Sequence, residues 1–205
     1  YAVIVDGGAA VIENSGQING GRLGVGLSGG GFVTNAAGGT ITGSYPVQIT
    51  GGGAYLYNRG AIIAAAGASG TAVSMAPGFT DVVSIYPGST IVGTVSGGHT
   101  IGSTAVSGLD LLSGSGTGTI AGLGSKYINF EYFNVFSGNW LLSGTNTIAA
   151  GAQLNVVSTL TNSGTVQGLV LLENDGTQVP TLTNALGAVI SGTTAGLRDA
   201  GGLAN

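Results

Sequence analysis

The stretch VTNAAGGTITG, residues 33–43, decides how this chain is read. It is small, uncharged and bracketed by β-branched residues. Nearly the same phrase occurs as IENSGQING at 12–20 and as LYNRGAIIA at 56–64. Each has an apolar residue, an Asn, a Gly, and then an Ile returning to an apolar frame. Asn14, Asn35 and Asn58 are 21 and 23 residues apart, and Asn162, Asn184 and Asn205 are 22 and 21 apart. Other positions keep step. Val3, Val25, Val47 and Val73 form one series, with Val5, Leu27, Ile49 and Met75 two residues later. Ile18, Ile41 and Ile62 form a third.

A period near 22 built from short alternating runs (AVIVD, GVGLS, PVQIT, AVSMA) is the mark of a solenoid. Alternation makes each run a strand: in PVQIT, Val47 and Ile49 face one way and Gln48 and Thr50 the other. The runs end at Gly, Asn or Pro, as turns require. Leucine-rich repeats share the period, but their L-x-x-L-x-L-x-x-N frame is missing. Three short strands and three turns fill about 22 residues, one coil of a parallel β-helix. Coils stack at about 4.8 Å, so roughly ten coils predict a rod of roughly 45 Å. The expected fold is therefore all-β, a single parallel β-helix over residues 1–205, with longer turns across 79–150. The Val, Leu, Ile and Met series become internal ladders. The Asn is expected at a corner with left-handed backbone, stacked on its equivalents as in cross-β Asn ladders. The alternative is an ordinary loop residue.

Composition narrows the classes further. Glycine supplies 42 of 205 residues, about three times its ~7% average. Charged residues are only 6%, and apolar residues 43%. That is too apolar for a disordered segment. The longest apolar run, AIIAAAGA at 61–68, is far short of the ~20 residues of a membrane helix. There is no cysteine, hence no disulfide and no thiolate metal site. Arg22, Arg59, Lys126 and Arg198 are scattered, net charge is −4, and nucleic acid is excluded as a partner. The chain starts at Tyr1 without a basic-then-apolar leader, as expected of a mature product or a piece of a longer protein.

The middle of the chain carries a more specific phrase. Asp81 to Gly93 reads D-x-V-x-I-x-P-G-S-x-I-x-G; Gly97-Gly98 and Asp110-Leu111-Leu112 follow. Then come Phe130-Glu131-Tyr132-Phe133-Asn134-Val135 and Gly138-Asn139-Trp140-Leu141-Leu142-Ser143-Gly144. With the flanking Asn-x-Gly-x-Ile-x-Gly coils, this resembles the passenger regions of bacterial autotransporters. The resemblance implies a right-handed parallel β-helix, displayed at the cell surface by a translocator barrel not present in these 205 residues. Passengers include proteases, lipases, adhesins and self-associating proteins, so the resemblance leaves activity open.

Chemistry needs converging ionisable groups. The single His99 sits in a Gly-rich segment expected to be an exposed loop, and the eight acids are spread singly, with no two coils expected to offer them at matching positions. Glu173 and Asp175 read as a turn. Gly26-Leu27-Ser28-Gly29-Gly30 matches G-x-S-x-G, but one such match is expected by chance in so glycine-rich a chain. The calcium-binding nonapeptide and the phosphate loop lack their partners. No catalytic residue, metal ligand or cofactor is expected. Alternation places Phe130 and Tyr132 outside if Phe133 and Val135 are inside. That makes Phe130 and Tyr132 candidates for lateral contact with sugar or another chain, unless the rings fill a wider coil.

The expectation is thus a non-catalytic extracellular structural or adhesive β-helix, a cell-surface stalk contacting its own copies or a polysaccharide. A filament built by head-to-tail stacking is the alternative, since β-helix rims present unpaired edges. A polysaccharide-active hydrolase would need a carboxylate cluster.

Overall fold

A computed structural model of the chain describes residues 1–192 and the backbone of 197–199. The chain winds as a parallel β-solenoid of about nine turns with one short 3₁₀ segment, Gly67–Ser69. The first four turns contribute three strands each: β1–β3 (Val3–Val5, Ala10–Asn14, Gln17–Asn19), β4–β6 (Leu23–Leu27, Gly31–Asn35, Thr40–Gly43), β7–β9 (Tyr45–Ile49, Ala54–Asn58, Ala61–Ala64) and β10–β12 (Thr71–Ser74, Asp81–Ile85, Thr90–Val92). Then follow β13 (Thr94–Ser96), β14 (Ser107–Leu111), β15 (Thr117–Ala121), β16 (Tyr127–Ile128), β17 (Tyr132–Val135), β18 (Asn139–Ser143) and β19 (Thr145–Thr147). The last are β20 (Gln153–Val156), β21 (Thr159–Asn162), β22 (Thr165–Gln167), β23 (Val170–Leu172), β24 (Thr181–Asn184), β25 (Val189–Ser191) and β26 (Leu197–Asp199).

One sheet runs the whole length: β2-β5-β8-β11-β14-β17-β20-β23-β26. Its register gives the pitch of the repeat. Ala10 pairs with Gly31 and Gly31 with Ala54, steps of 21 and 23. Tyr55–Val82 and Asp81–Ser107 lengthen to 27 and 26, because longer connections leave the stack at 65–70 and 97–106. The described residues make about nine turns, one fewer than the roughly ten expected. The other faces change partway. Sheets β1-β4-β7-β10-β13-β16 and β3-β6-β9-β12 serve the first half; β15-β18-β21-β24 and β19-β22-β25 replace them in the second.

The aliphatic series stack inside. Val3, Val25, Val47 and Val73 are register neighbours in turn, as are Val5, Leu27 and Ile49. Met75, two residues after Val73, is buried just past its strand. Ile18, Ile41 and Ile62 stack likewise, and Ile91 continues the column. From the second turn onward these side chains are essentially dry, whereas Val3, Val5 and Ile18 in the first turn are only partly covered.

The repeated Asn is not a left-handed corner. Among the described residues the only non-glycine with positive φ is Asn129. Asn14, Asn35 and Asn58 are the last inward residues of β2, β5 and β8, in phase with Ile12, Val33 and Leu56. They are buried and linked: Asn14 Nδ2 donates to Asn35 Oδ1 at 2.8 Å, and Asn35 Nδ2 donates to Asn58 Oδ1 at 2.9 Å. Asn35 Nδ2 also reaches the carbonyls of Gly39 and Ala61, holding the turn and the next coil. Gly60 follows because the ladder leaves no room. A Cβ there would lie 2.2 Å from the Gly39 carbonyl oxygen and 2.8 Å from Asn35 Nδ2. Asn162 repeats the device with Asn184 at 2.8 Å on another face. Asn205 lies outside the described residues.

Candidate functional site

The through-running sheet has one outward column that is apolar and open: Val11, Phe32, Tyr55 and Val82 are register neighbours in succession. Val11 is 68% exposed, Phe32 44% and Tyr55 37%, which no folding argument requires of side chains this large. The Phe32 and Tyr55 rings stack at 5.1 Å, 11° from parallel. Each covers a face of the other, so the strip presents ring edges and methyl groups outward. Such an edge surface suits another flat apolar face better than a sugar ring, which stacks on an open aromatic face. The strip carries no charge. Glu13 stands in the adjoining outward column, with Thr34 and Tyr57 as its successors. Arg59 lies over the Tyr86 ring at 4.1 Å.

That adjoining column becomes polar further along. Asn155 Nδ2 donates to Asn134 Oδ1 at 2.9 Å, and Asn134 Nδ2 donates to Asp110 Oδ1 at 2.8 Å. Partial burial raises the Asp110 carboxyl above its ordinary range, against the pull of Asn134. The connection after β23 reaches back to this end, Gln178 Nε2 donating to the Phe136 carbonyl.

Of the two aromatic residues expected to be lateral, Tyr132 is exposed and Phe130 is not. Phe130 is fully buried, its ring 6.0 Å from that of Phe133. Strict alternation fails because Asn129, at φ 62°, turns the chain between β16 and β17. Phe130 and Glu131 then both enter the core. Phe130 is therefore a core residue.

Glu131 belongs to a cluster that sequence spacing did not reveal. Asp81 and Ser107 are register partners, and the Glu131 N–H donates to the Ser107 carbonyl, so the three occupy one inward column on successive turns. All three are buried. Into them comes His99, on the connection between β13 and β14, with its Nε2 3.1 Å from Glu131 Oε2. His99 is 6% exposed, not a solvent loop residue. Glu131 Oε2 also accepts the Ser107 N–H at 2.8 Å, and Asp81 Oδ1 accepts the Ala54 N–H at 2.8 Å. Ser107 Oγ donates to the Gly97 carbonyl, tying the two ends of the connection together. Asp81 Oδ2, His99 Nδ1 and Glu131 Oε1 are buried without a partner. Burial pushes the Asp81 carboxyl up to about 6, although the Ala54 N–H and the nearby His99 pull it down. Acids do therefore match across coils, and they face the inside of the solenoid. Among the described residues no group of His, Cys, Asp and Glu is arranged to hold a metal.

A signal for the column existed. In DVVSI, SGLDL and EYFNV the first residue is in phase with two core apolars, which places Asp81, Ser107 and Glu131 inward. No local signal marks His99, whose partner is 32 residues away. Ser28, in its chance G-x-S-x-G match, is a corner residue: its Oγ accepts the Gly7 N–H and donates to the Val5 carbonyl.

The fold and these sites define a parallel β-solenoid with an open apolar flank and a sealed polar cluster. Comparison with family models, curated proteins and solved structures returns no significant match. No helix among the described residues is long and apolar enough to cross a membrane.

Proposed function

We propose that this chain is a non-catalytic structural and adhesive β-solenoid, an extracellular stalk of the autotransporter-passenger type that makes lateral contacts at a bacterial cell surface. The observation that carries this reading is the exposed column Val11–Phe32–Tyr55–Val82. A flat, uncharged strip rising through four turns is suited to a second copy of the same face, because two such strips meet without like-charge repulsion. The sparse charge of the chain favours close approach. The placement of Asp81, His99 and Glu131 inside the coil supports a framework role over hydrolysis. Export and surface display rest on the sequence phrases from Asp81 to Gly144.

One observation favours the head-to-tail filament as second reading. The first turn leaves Val3, Val5, Ala10, Ile12 and Ile18 only partly covered, and β1, β2 and β3 are each the end strand of a sheet. Sedimentation equilibrium over a concentration series, with negative-stain electron microscopy, separates the two. The lateral reading expects concentration-dependent association that F32S/Y55S weakens roughly tenfold or more. Long fibres of constant width that survive F32S/Y55S would replace it with the filament. Isolated short rods at every concentration would overturn self-association altogether.

A further inference from the structure

The third face changes hands between β12 and β15, and the change leaves a gap. β12 ends its sheet, while β15 begins another and pairs forward with β18. Under β12 lies a cleft of about 390 Å³, lined by residues 91–94 together with Ala68, Ser125 and Lys126. The chain turns tightly at 122–127, where the Gly122 carbonyl accepts the N–H groups of Lys126 and Tyr127. That turn sends the Lys126 side chain back along the cleft. Its Nζ donates to the Ile91 carbonyl at 2.7 Å, on the edge strand that has no further partner.

The ammonium is under-used. Of its three donors, one meets Ile91, and the Tyr127 ring centroid lies 5.1 Å away. Among the described residues no carboxylate lies within 4.0 Å of it. What sets Lys126 apart from Arg22 and Arg59 is its place in a cleft, with part of its ammonium removed from water. Partial burial depresses the Lys126 ammonium below the usual lysine range, a penalty that a bound anion relieves. Around it the cleft offers the apolar groups of Ala68 and Val92, and the hydroxyls of Thr94 and Ser125.

We propose that this cleft binds a carboxylate-bearing sugar unit, its carboxylate on Lys126 Nζ and its hydroxyls toward Thr94 and Ser125. The volume accepts one hexuronate with room for a linkage. The site lies apart from the Val11–Val82 strip, so it stands or falls independently of lateral association.

The test is titration of ¹⁵N-labelled protein with D-glucuronate, acetate and D-glucose, followed by amide shifts. Glucuronate is expected to shift the amides of Gly93, Thr94, Ser125 and Lys126 saturably. Acetate should act at least roughly tenfold more weakly and glucose not at all. K126M keeps the aliphatic stem and should abolish the shifts with the rest of the spectrum unchanged. Should K126M fold poorly, wild-type binding should still weaken several-fold between about 0.02 and 0.3 M salt. Absence of saturable shifts with glucuronate, equal shifts in folded K126M, or salt-insensitive binding would overturn the proposal. Equal affinity for acetate would overturn its sugar component.

Discussion

Asn35 shows what one side chain does in this fold. Its carboxamide accepts from Asn14, donates to Asn58 and holds two backbone carbonyls, all in a fully buried position. Asn35→Ala strips the buried Asn58 Oδ1 of its donor, removes the side-chain bonds to the Gly39 and Ala61 carbonyls, and leaves Asn14 Nδ2 only its longer contacts to Gly16 and Thr40. A loss of about 3 kcal/mol is expected from chemical denaturation, with a smaller loss for Asn14→Ala, which has one ladder neighbour. The recurrence of Asn was legible, because its period is the coil. Its inward orientation was masked by the general preference of Asn for turns, since the bonds that settle it come from residues more than twenty positions away. At Asp81 the same scale gives a pH dependence. Its folded pKa of about 6 lies above the ordinary 3.8, so the fold favours the protonated acid. Stability contributed by this group is lost as pH rises through about 6 and is fully present below about 4. Asp81→Asn can keep the Ala54 bond through its Oδ1, and thermal melts between pH 4 and pH 7.5 should then flatten relative to wild type. Unchanged pH dependence would place the titration elsewhere.

At the scale of the element, alternation carries most of the information. It identified β1, β4, β7 and β10, one strand in each of the first four turns, and the facing of Val47 and Ile49. It failed between β16 and β17, where the left-handed Asn129 shifts the phase and brings Phe130 inside. A one-residue phase change exchanges the two faces of a strand, and nothing in the sequence of hydrophobic residues announces it. The pair β15–β18 makes a sharper prediction. Gly118 sits opposite Trp140, and a Cβ on Gly118 would lie 2.5 Å from the indole ring. Trp140 is buried, so it has no open space to move into. Gly118→Ala should therefore destabilise by about 1–3 kcal/mol and shift Trp140 fluorescence. A silent Gly118→Ala would mean that this pair is packed differently.

At the scale of the whole molecule, stability is shared between neighbouring turns. No coil buries its own apolar residues; each is covered by its neighbours, and the first turn and the last described one are the least covered. The period made this architecture readable from the sequence. The exchange of faces after β12 was not readable, because β15 pairs only forward, with β18, and nothing in its composition marks that it leaves β12 without a further partner. That exchange creates the Lys126 cleft, while the uninterrupted sheet creates the exposed strip. Both sites therefore depend on the stacking register. The absence of cysteine from these 205 residues allows that register to be tested directly. Thr34 and Tyr57 are register neighbours in an outward column, whereas Thr34 and Tyr55 are offset by two residues along the strand. Mild oxidation of the monomeric T34C/Y57C and T34C/Y55C variants, read by mass spectrometry, measures the pairing. The account predicts rapid disulfide formation in T34C/Y57C and little in T34C/Y55C, because adjacent in-register Cα atoms lie within disulfide reach. Preferential closure of T34C/Y55C would contradict the stacked register on which the fold, the strip and the cleft all rest.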